Sequence, residues 1–153
     1  MTGKLEFGCD YLDLMRWLET QGSKNMDPVT DTAVRLLLLQ WDFTLEEIDE
    51  ANKQFWERAD KGSLGDNLLT VMKRVTEYIK DDKPAQERLI IELAAVAFMD
   101  GNITKEEGDF VSVFQYLCDM KTSEFHALCT QGINWAKGLI FFGNEYAKAK
   151  SSK

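Results

Sequence analysis

Residues 89–107, LIIELAAVAFMDGNITKEE, decide the fold. The first eleven residues of this stretch are apolar except for Glu92, so the predicted helix has no broad face that suits water. Such a helix belongs in the middle of a bundle, with other helices on all its sides. The helix ends at Asp100-Gly101, and Thr104 then caps a new helix with an acidic first turn. The stretch therefore predicts a buried helix, a turn and a second helix that hold carboxylates beside the core.

The composition is that of one folded helical domain. The chain has 153 residues, of which 44% are hydrophobic and 29% are charged, as is typical of a folded protein. Proline occurs only twice, and the apolar residues follow helical rather than alternating spacing. We therefore predict an all-α fold, a single bundle of about seven helices.

Start and stop signals give the approximate limits of these helices. They are predicted over 10–21, 28–41, 44–59, 66–80, 89–99, 104–117 and from 122 onward, and the last contains glycines 132, 138 and 143, which predict a kink or a split. The 28–41 helix is apolar nearly all round, so we predict that it is central together with 89–99. We divide the chain into an N-terminal helix and loop over 1–29, a helical domain over 30–147 and a loose tail over 148–153.

Two segments repeat one pattern. They are LLLLQWDFTLEEID over 36–49 and AAVAFMDGNITKEEGD over 94–109, and each joins an apolar helix through an aspartate to a capping box. The capping residues Thr44 and Thr104 lie 60 residues apart. A duplication predicts two similar helix pairs about a pseudo-twofold axis. Coincidence is the alternative, because capping boxes are common.

Charge and cysteine usage exclude several classes of partner. The formal net charge of −8 opposes binding to nucleic acid phosphates and to anionic lipid. The longest apolar run is shorter than the ~20 residues that cross a bilayer, and the sequence shows no signal peptide, so we predict no membrane insertion. Cys9, Cys118 and Cys129 form no metal-binding or redox motif, and we interpret them as reduced thiols of a cytoplasmic protein.

The sequence contains no recognisable catalytic constellation. His126 is the only histidine, so no Ser-His-Asp or Cys-His arrangement is convincing, and no glycine-rich phosphate loop is present. We therefore predict that the protein is not an enzyme. The four tryptophans, at positions 17, 41, 56 and 135, are predicted to belong to the core rather than to stack on bases.

The turn after the buried helix superficially matches an EF-hand loop. Asp100 and Glu107 would take loop positions 5 and 12, with Gly101 at position 6. Positions 1 and 3 would then be Val96 and Phe98, whose side chains offer no oxygen. This mismatch excludes a true EF-hand.

A central apolar helix followed by Asp-Gly, a short turn and Glu-Glu resembles the TerB-like family, which is associated with tellurite resistance. The resemblance is best over residues 89–128 and weaker over 34–55, where the Asp-Gly pair is replaced by Asp42-Phe43. It implies an all-helical fold and an acidic cluster that binds a divalent metal cation of unspecified identity. It also implies a role in stress response or in a membrane-associated complex, with an unidentified protein partner.

The resemblance places the metal ligands at Asp100 and Glu107 and, less directly, at Asp42 and Glu47. Carboxylates that repel one another at a helix start are relieved by a divalent cation. The alternative is structural, because the helix dipole and the capping box favour acidic residues in a first turn without any ligand. Asp42 and Asp100 are more indicative of function, since each opposes the dipole at the end of a helix. The alternative function is a metal-free scaffold that docks a protein partner through exposed aromatic residues.

Overall fold

The computed structural model describes residues 3–21, 28–60, 68–99 and 101–151. Within these ranges all regular structure is helical, which confirms the predicted all-α class. Helices α1 to α7 span Lys4–Gln21, Pro28–Leu37, Leu45–Asp60, Leu68–Tyr78, Lys83–Ala97, Lys105–Leu117 and Thr122–Ser151, and a 3₁₀ turn, Leu38–Trp41, follows α2.

Residue contacts divide the chain into two compact units, Met1–Gln86 and Glu87–Lys153. The division falls inside α5, so this helix is shared between the two units. The predicted domain limits after residues 29 and 147, and the predicted pseudo-twofold axis, stay predictions.

Helix α1 lies at the centre of the first unit. It contacts α2, α3 and α4, and every residue from 7 to 15 is buried. The predicted start of this helix at Asp10 is wrong, because the helix begins at Lys4 and Asp10 lies within it, fully buried. The sequence misleads here because two aspartates, Asp10 and Asp13, interrupt the apolar pattern, and charged residues are rarely buried unless they are paired.

The predicted central position of the 28–41 segment is also wrong. Val34 and Leu38 are buried, whereas Leu36 is 44% and Leu39 is 47% exposed. The segment packs on one side against α1 and α3, and its last turn tightens into the 3₁₀ geometry. It is an amphipathic surface helix with more leucine than its buried face requires.

Residues 82–88, which were predicted to lie between two helices, contain the start of α5. The Asp82 side chain accepts a hydrogen bond from the Ala85 N–H at 3.1 Å, and Pro84 lies in the first turn. The Gln86 side chain donates to the carbonyl oxygens of Ile79 and Lys80, at 3.2 and 3.0 Å. Helix α5 therefore begins at Lys83, six residues before the predicted start.

The predicted burial of α5 is confirmed. Its buried residues include Glu92, of which 1% is exposed, and the apolar residues Leu89, Ile90, Leu93, Ala94, Ala95, Val96 and Ala97. This burial on successive faces agrees with the interpretation of this segment as a central helix. The helix ends at Ala97, so Phe98 and Met99, which were predicted to belong to it, lie in the turn that follows and are half-buried.

Helix α7 is continuous from Thr122 to Ser151, so the predicted split is absent, and the predicted loose tail is helical as far as residue 151. Gly132 serves close packing instead. A Cβ atom at this position would overlap the carbonyl oxygen of Ile91 and would lie 3.0 Å from the Ala94 Cβ. A Cβ at Gly138 would meet nothing within 4 Å. Gly132 therefore lets the backbones of α7 and α5 approach closely.

The described residues contain no helix that combines the length and the hydropathy needed to cross a bilayer. The three cysteines are free, as predicted.

Candidate functional site

We call residues 38–47 corner 1 and residues 97–107 corner 2, since each carries one copy of the repeated pattern. In corner 1 the 3₁₀ turn ends at Asp42, whose backbone is left-handed with φ 63°. Its N–H donates to the carbonyl oxygens of Leu38 and Leu39, and the residue is exposed. Aspartate, asparagine and glycine are the residues that best tolerate this conformation at a helix end. The backbone therefore explains Asp42 without a ligand.

The capping box predicted after Asp42 is present. The Glu47 N–H donates to Thr44 Oγ at 3.1 Å, and the Thr44 N–H donates to Glu47 Oε1 at 2.9 Å. The two bonds satisfy backbone donors that the first turn of α3 leaves without intrahelical acceptors.

A lysine from α1 occupies the place where a cation was predicted in corner 1. Lys4 Nζ donates to the carbonyl oxygen of Asp42 at 2.6 Å and to Glu47 Oε1 at 2.9 Å. The Thr44 N–H and then the Lys4 ammonium lower the pKa of Glu47. Lys4 also supplies positive charge at the C-terminal end of the 3₁₀ turn, where the dipole favours it. Sequence reasoning missed Lys4, because it lies 38 residues before Asp42 and no local pattern connects the two.

Corner 2 turns through Gly101 instead of through an aspartate. Gly101 has φ 101°, and its N–H donates to the carbonyl oxygen of Phe98 at 2.9 Å. Gly101 thus takes the left-handed position that Asp42 takes in corner 1. A residue with a side chain would be strained in this backbone conformation. Asp100, the leading candidate from the sequence, lies outside the described residues.

The second capping box is also present and is more deeply buried. The Thr104 N–H donates to Glu107 Oε1 at 3.0 Å, and the Glu107 N–H donates to Thr104 Oγ at 3.2 Å. Only 1% of Glu107 is exposed, whereas 33% of the Glu47 side chain is exposed. Within the described parts of the chain, no lysine, arginine or histidine forms an ion pair with Glu107.

Asp42, Glu47 and Glu107 are the predicted ligands that lie within the described residues, and they do not form a metal centre. Among residues 3–21, 28–60, 68–99 and 101–151, no group of three or more histidine, cysteine, aspartate or glutamate side chains could hold a metal ion. Corner 1 lies in the first unit and corner 2 in the second. A shared site of Asp42, Glu47, Asp100 and Glu107 stays a prediction.

A buried ion cluster in the first unit was not predicted. Asp10 accepts from Arg58 Nη1 at 2.6 Å and from Arg74 through Nε at 3.0 Å and Nη2 at 2.8 Å. Asp13 lies one turn further along α1 and is 4% exposed, and burial raises the pKa of its carboxyl group. The sequence signal for this cluster was the pair of aspartates three residues apart within an apolar helix, because buried carboxylates require cationic partners. The arginines neutralise Asp10 from α3 and α4, which fixes both helices on α1.

The thiols of Cys9 and Cys129 are poor nucleophiles at neutral pH. Burial raises the pKa of Cys9 and of Cys129 to about 11, so both stay protonated at neutral pH. The thiolate is the nucleophilic form of cysteine, and neither residue supplies it under these conditions.

Several aromatic residues lie on the surface. Trp56 is 38% and Trp135 is 37% exposed, so their predicted place in the core is wrong. Tyr116 is 85% exposed beside an open depression of about 590 Å³, which is lined by Ser112, Gln115, Tyr116, Asp119 and Met120. Asp119 is the only carboxylate of this lining, and the depression contains no acid–base pair.

Comparisons with protein-family models, with curated proteins and with solved structures found no match. Arguments about function therefore start from the two corners and from the exposed surface.

Proposed function

We propose that the protein is a non-enzymatic helical binding module and that corner 2 binds a divalent cation through Glu107 and Asp100. The contrast between the two capping glutamates supports this proposal. Glu47 accepts a hydrogen bond from the Lys4 ammonium, whereas Glu107 is more deeply buried and forms no ion pair with the described residues. A cation bound from solution would serve Glu107 as Lys4 serves Glu47.

Burial makes this neutralisation valuable. A carboxylate removed from water is costly unless it is paired or fully hydrogen-bonded. Glu107 Oε1 already accepts the Thr104 N–H, so Oε2 is the oxygen that a metal would use. Ca²⁺ and Mg²⁺ prefer such oxygen ligands. Asp100 immediately precedes Gly101, whose conformation reverses the chain toward Thr104.

The proposal removes corner 1 from the metal site. The Lys4 ammonium already bridges the Asp42 carbonyl oxygen and the Glu47 carboxylate. A divalent cation at this position would have to displace a positive charge that the chain itself provides. We therefore assign Asp42 and Glu47 to the local structure of corner 1.

The resemblance to the TerB-like family extends the proposal to a biological setting. It suggests a cytoplasmic protein that acts in stress response, such as tellurite resistance, or in a membrane-associated complex. Such a module would act through a protein partner, with the cation stabilising the turn between α5 and α6.

Thermal unfolding in the presence of Ca²⁺, Mg²⁺, Mn²⁺ or Zn²⁺ tests the proposal. A cation that binds only the folded state at a concentration 100 times its Kd adds about 2.7 kcal/mol to the free energy of unfolding. We expect Glu107→Gln and Asp100→Asn to abolish the metal-induced rise in Tm. Glutamine retains the capping-box hydrogen bonds, so Glu107→Gln removes the charge and keeps the turn.

Glu47→Gln is the matched control, because it changes the same residue type in the same capping position of corner 1. It should leave the metal-induced rise unchanged. If no cation at millimolar concentration raises Tm, or if both glutamine variants reduce the rise equally, corner 2 is not the cation site.

A metal-free interaction scaffold is the second candidate. It is favoured by the exposure of Trp56 and Trp135, because large aromatic side chains are enriched in protein interfaces. It predicts that partner binding persists in the presence of a chelator.

A further inference from the structure

One side of α3 exposes two large apolar residues beside a row of charges. Its exposed residues, which we call the α3 face, are Leu45, Glu46, Asp49, Glu50, Lys53, Trp56 and Glu57. Leu45 is 62% and Trp56 is 38% exposed. The opposite side of the helix is buried through Ile48, Ala51 and Phe55.

Leu45 and Trp56 lie almost on one line along the helix. Their separation of eleven residues is close to three full turns, and at 1.5 Å per residue they are about 16 Å apart. Asp49 lies between them on the same line, at an i, i+4 spacing from Leu45. An exposed leucine and an exposed tryptophan thus mark the two ends of a strip that is three turns long.

The carboxylates of the α3 face are not neutralised within the described parts of the chain. Four of its residues are acidic and only Lys53 is basic, and none of the four carboxylates forms an ion pair there. The polar contact of Glu50 is a 3.3 Å hydrogen bond from Gln54. The face therefore combines apolar anchors with a net negative charge.

Trp56 is held in place before any partner arrives. The Arg16 guanidinium lies 4.7 Å from the centre of its ring, and the Phe55 ring packs edge-on at 5.2 Å. A fixed tryptophan loses little side-chain entropy on binding, which is characteristic of residues that dominate interface energies.

We propose that the α3 face binds a basic amphipathic helix of a protein partner. Apolar residues of that helix at i and i+11 would contact Leu45 and Trp56, and its lysines or arginines would face the carboxylates between and beside these two anchors. Leu36 and Leu39, the exposed leucines on α2 and the 3₁₀ turn, lie on the two elements that precede α3 and contact it.

Charge argues against the other occupants. A second copy of the chain would bring the same acidic face and a net charge of −8 to the contact. Nucleic acid and anionic lipid would be repelled in the same way. A basic amphipathic helix meets both the two apolar anchors and the excess of carboxylates. This inference concerns the first unit and does not depend on a cation at corner 2.

Fluorescence anisotropy tests the proposal with a labelled probe, a leucine–lysine amphipathic helix of about 14 residues, which matches the length of the strip. We expect Leu45→Ser to weaken probe binding about tenfold, since the variant loses the burial of a leucine side chain against the probe. The double variant Glu46→Gln/Asp49→Asn should weaken binding severalfold at low salt and reduce its salt dependence. Both changes lie at exposed positions, so the fold should persist.

Two matched controls make the result specific. Leu69→Ser removes another exposed leucine, on α4, and Glu106→Gln/Asp109→Asn makes the same charge change at the repeat-related positions of α6. Both should bind the probe like the wild type, and a leucine–glutamate probe should not bind. Equal losses in test and control variants would overturn the proposal, as would tight binding of the acidic probe. Self-association of the unliganded chain that Leu45→Ser abolishes would assign the face to a second copy instead.

Discussion

Corner 1 and corner 2 have the same capping box, but only in corner 1 does a described residue form an ion pair with the capping glutamate. In both, a threonine and a glutamate exchange hydrogen bonds with each other's backbone at 2.9–3.2 Å. In corner 1 a lysine from α1 binds the glutamate, whereas in corner 2 the glutamate is nearly inaccessible and has no described ion pair. Equal local sequences therefore do not imply equal surroundings, because a distant residue decides whether the capping glutamate forms an ion pair.

The same contrast distinguishes the described parts of the two units. The first unit neutralises buried or half-buried carboxylates with its own side chains, at Asp10 as well as at Glu47. In the described part of the second unit, two helix backbones approach closely at Gly132, and the capping box of Glu107 is buried. The following variants probe these differences.

The largest loss is expected from Arg74→Met. Asp10 is fully buried and would retain only Arg58, and removing one partner of a buried ion pair costs about 3 kcal/mol. Urea unfolding measures the loss. Lys80→Met is the control, because the Lys80–Glu77 pair is exposed and such pairs contribute less than about 1 kcal/mol. Equal losses in the two variants would mean that Asp10 does not depend on its arginines.

Gly132→Ala should be nearly as disruptive. Its new methyl group would overlap the Ile91 carbonyl oxygen, and overpacking of this kind costs about 1–3 kcal/mol. Gly138→Ala is the matched control in the same helix, and it should stabilise by about 0.5–1 kcal/mol, because the site is open and alanine favours helix. Thermal or urea unfolding compares the two. A neutral Gly132→Ala would show that α7 and α5 do not require this contact.

Loss of either capping threonine should cost about 1 kcal/mol. Thr104→Ala should cost more than Thr44→Ala, since the partner Glu107 is buried and cannot exchange its lost hydrogen bond for one to water as easily as Glu47. Unfolding free energies at neutral pH measure both. The reverse order would contradict the assigned difference in burial between the two corners.

The smallest effect concerns Lys4→Met and its dependence on pH. Because the pKa of Glu47 is lowered in the folded state, its contribution to stability is present above the ordinary value of 4.5 and is lost as pH falls through the folded pKa. The wild type should therefore exceed Lys4→Met in unfolding midpoint at neutral pH, and the gap should close in acid. Lys53→Met, at an exposed position on α3, should show no such trend. A gap that stays constant with pH would argue against the Lys4–Glu47 pair.

The sequence predicts the features that depend on neighbours a few residues away. The two capping boxes, the buried α5 and the all-α class follow from local spacing and are confirmed. The start of α5 at Lys83 was also within reach, because Asp82 and Pro84 form a usable start signal.

Features that depend on residues far away in the sequence were not predicted. Burial of Asp10 requires arginines 48 and 64 residues away, and the role of Glu47 depends on Lys4, 43 residues before it. The leucines of the 28–41 segment could not reveal that two of them, Leu36 and Leu39, face outward. Periodicity reports which residues share a helix face, but the partners of that face are set by the tertiary fold.

The central claim is that corner 2 accepts a cation that corner 1 does not need. Mn²⁺ broadens the amide signals of residues close to it, so one titration followed by NMR compares both corners in the same spectrum. We predict early broadening at Gly101, Thr104 and Glu107, with the signals of Thr44 and Glu47 unaffected, and loss of the early broadening in Glu107→Gln. Equal broadening at both corners, or broadening that begins on the acidic side of α3, would contradict the claim.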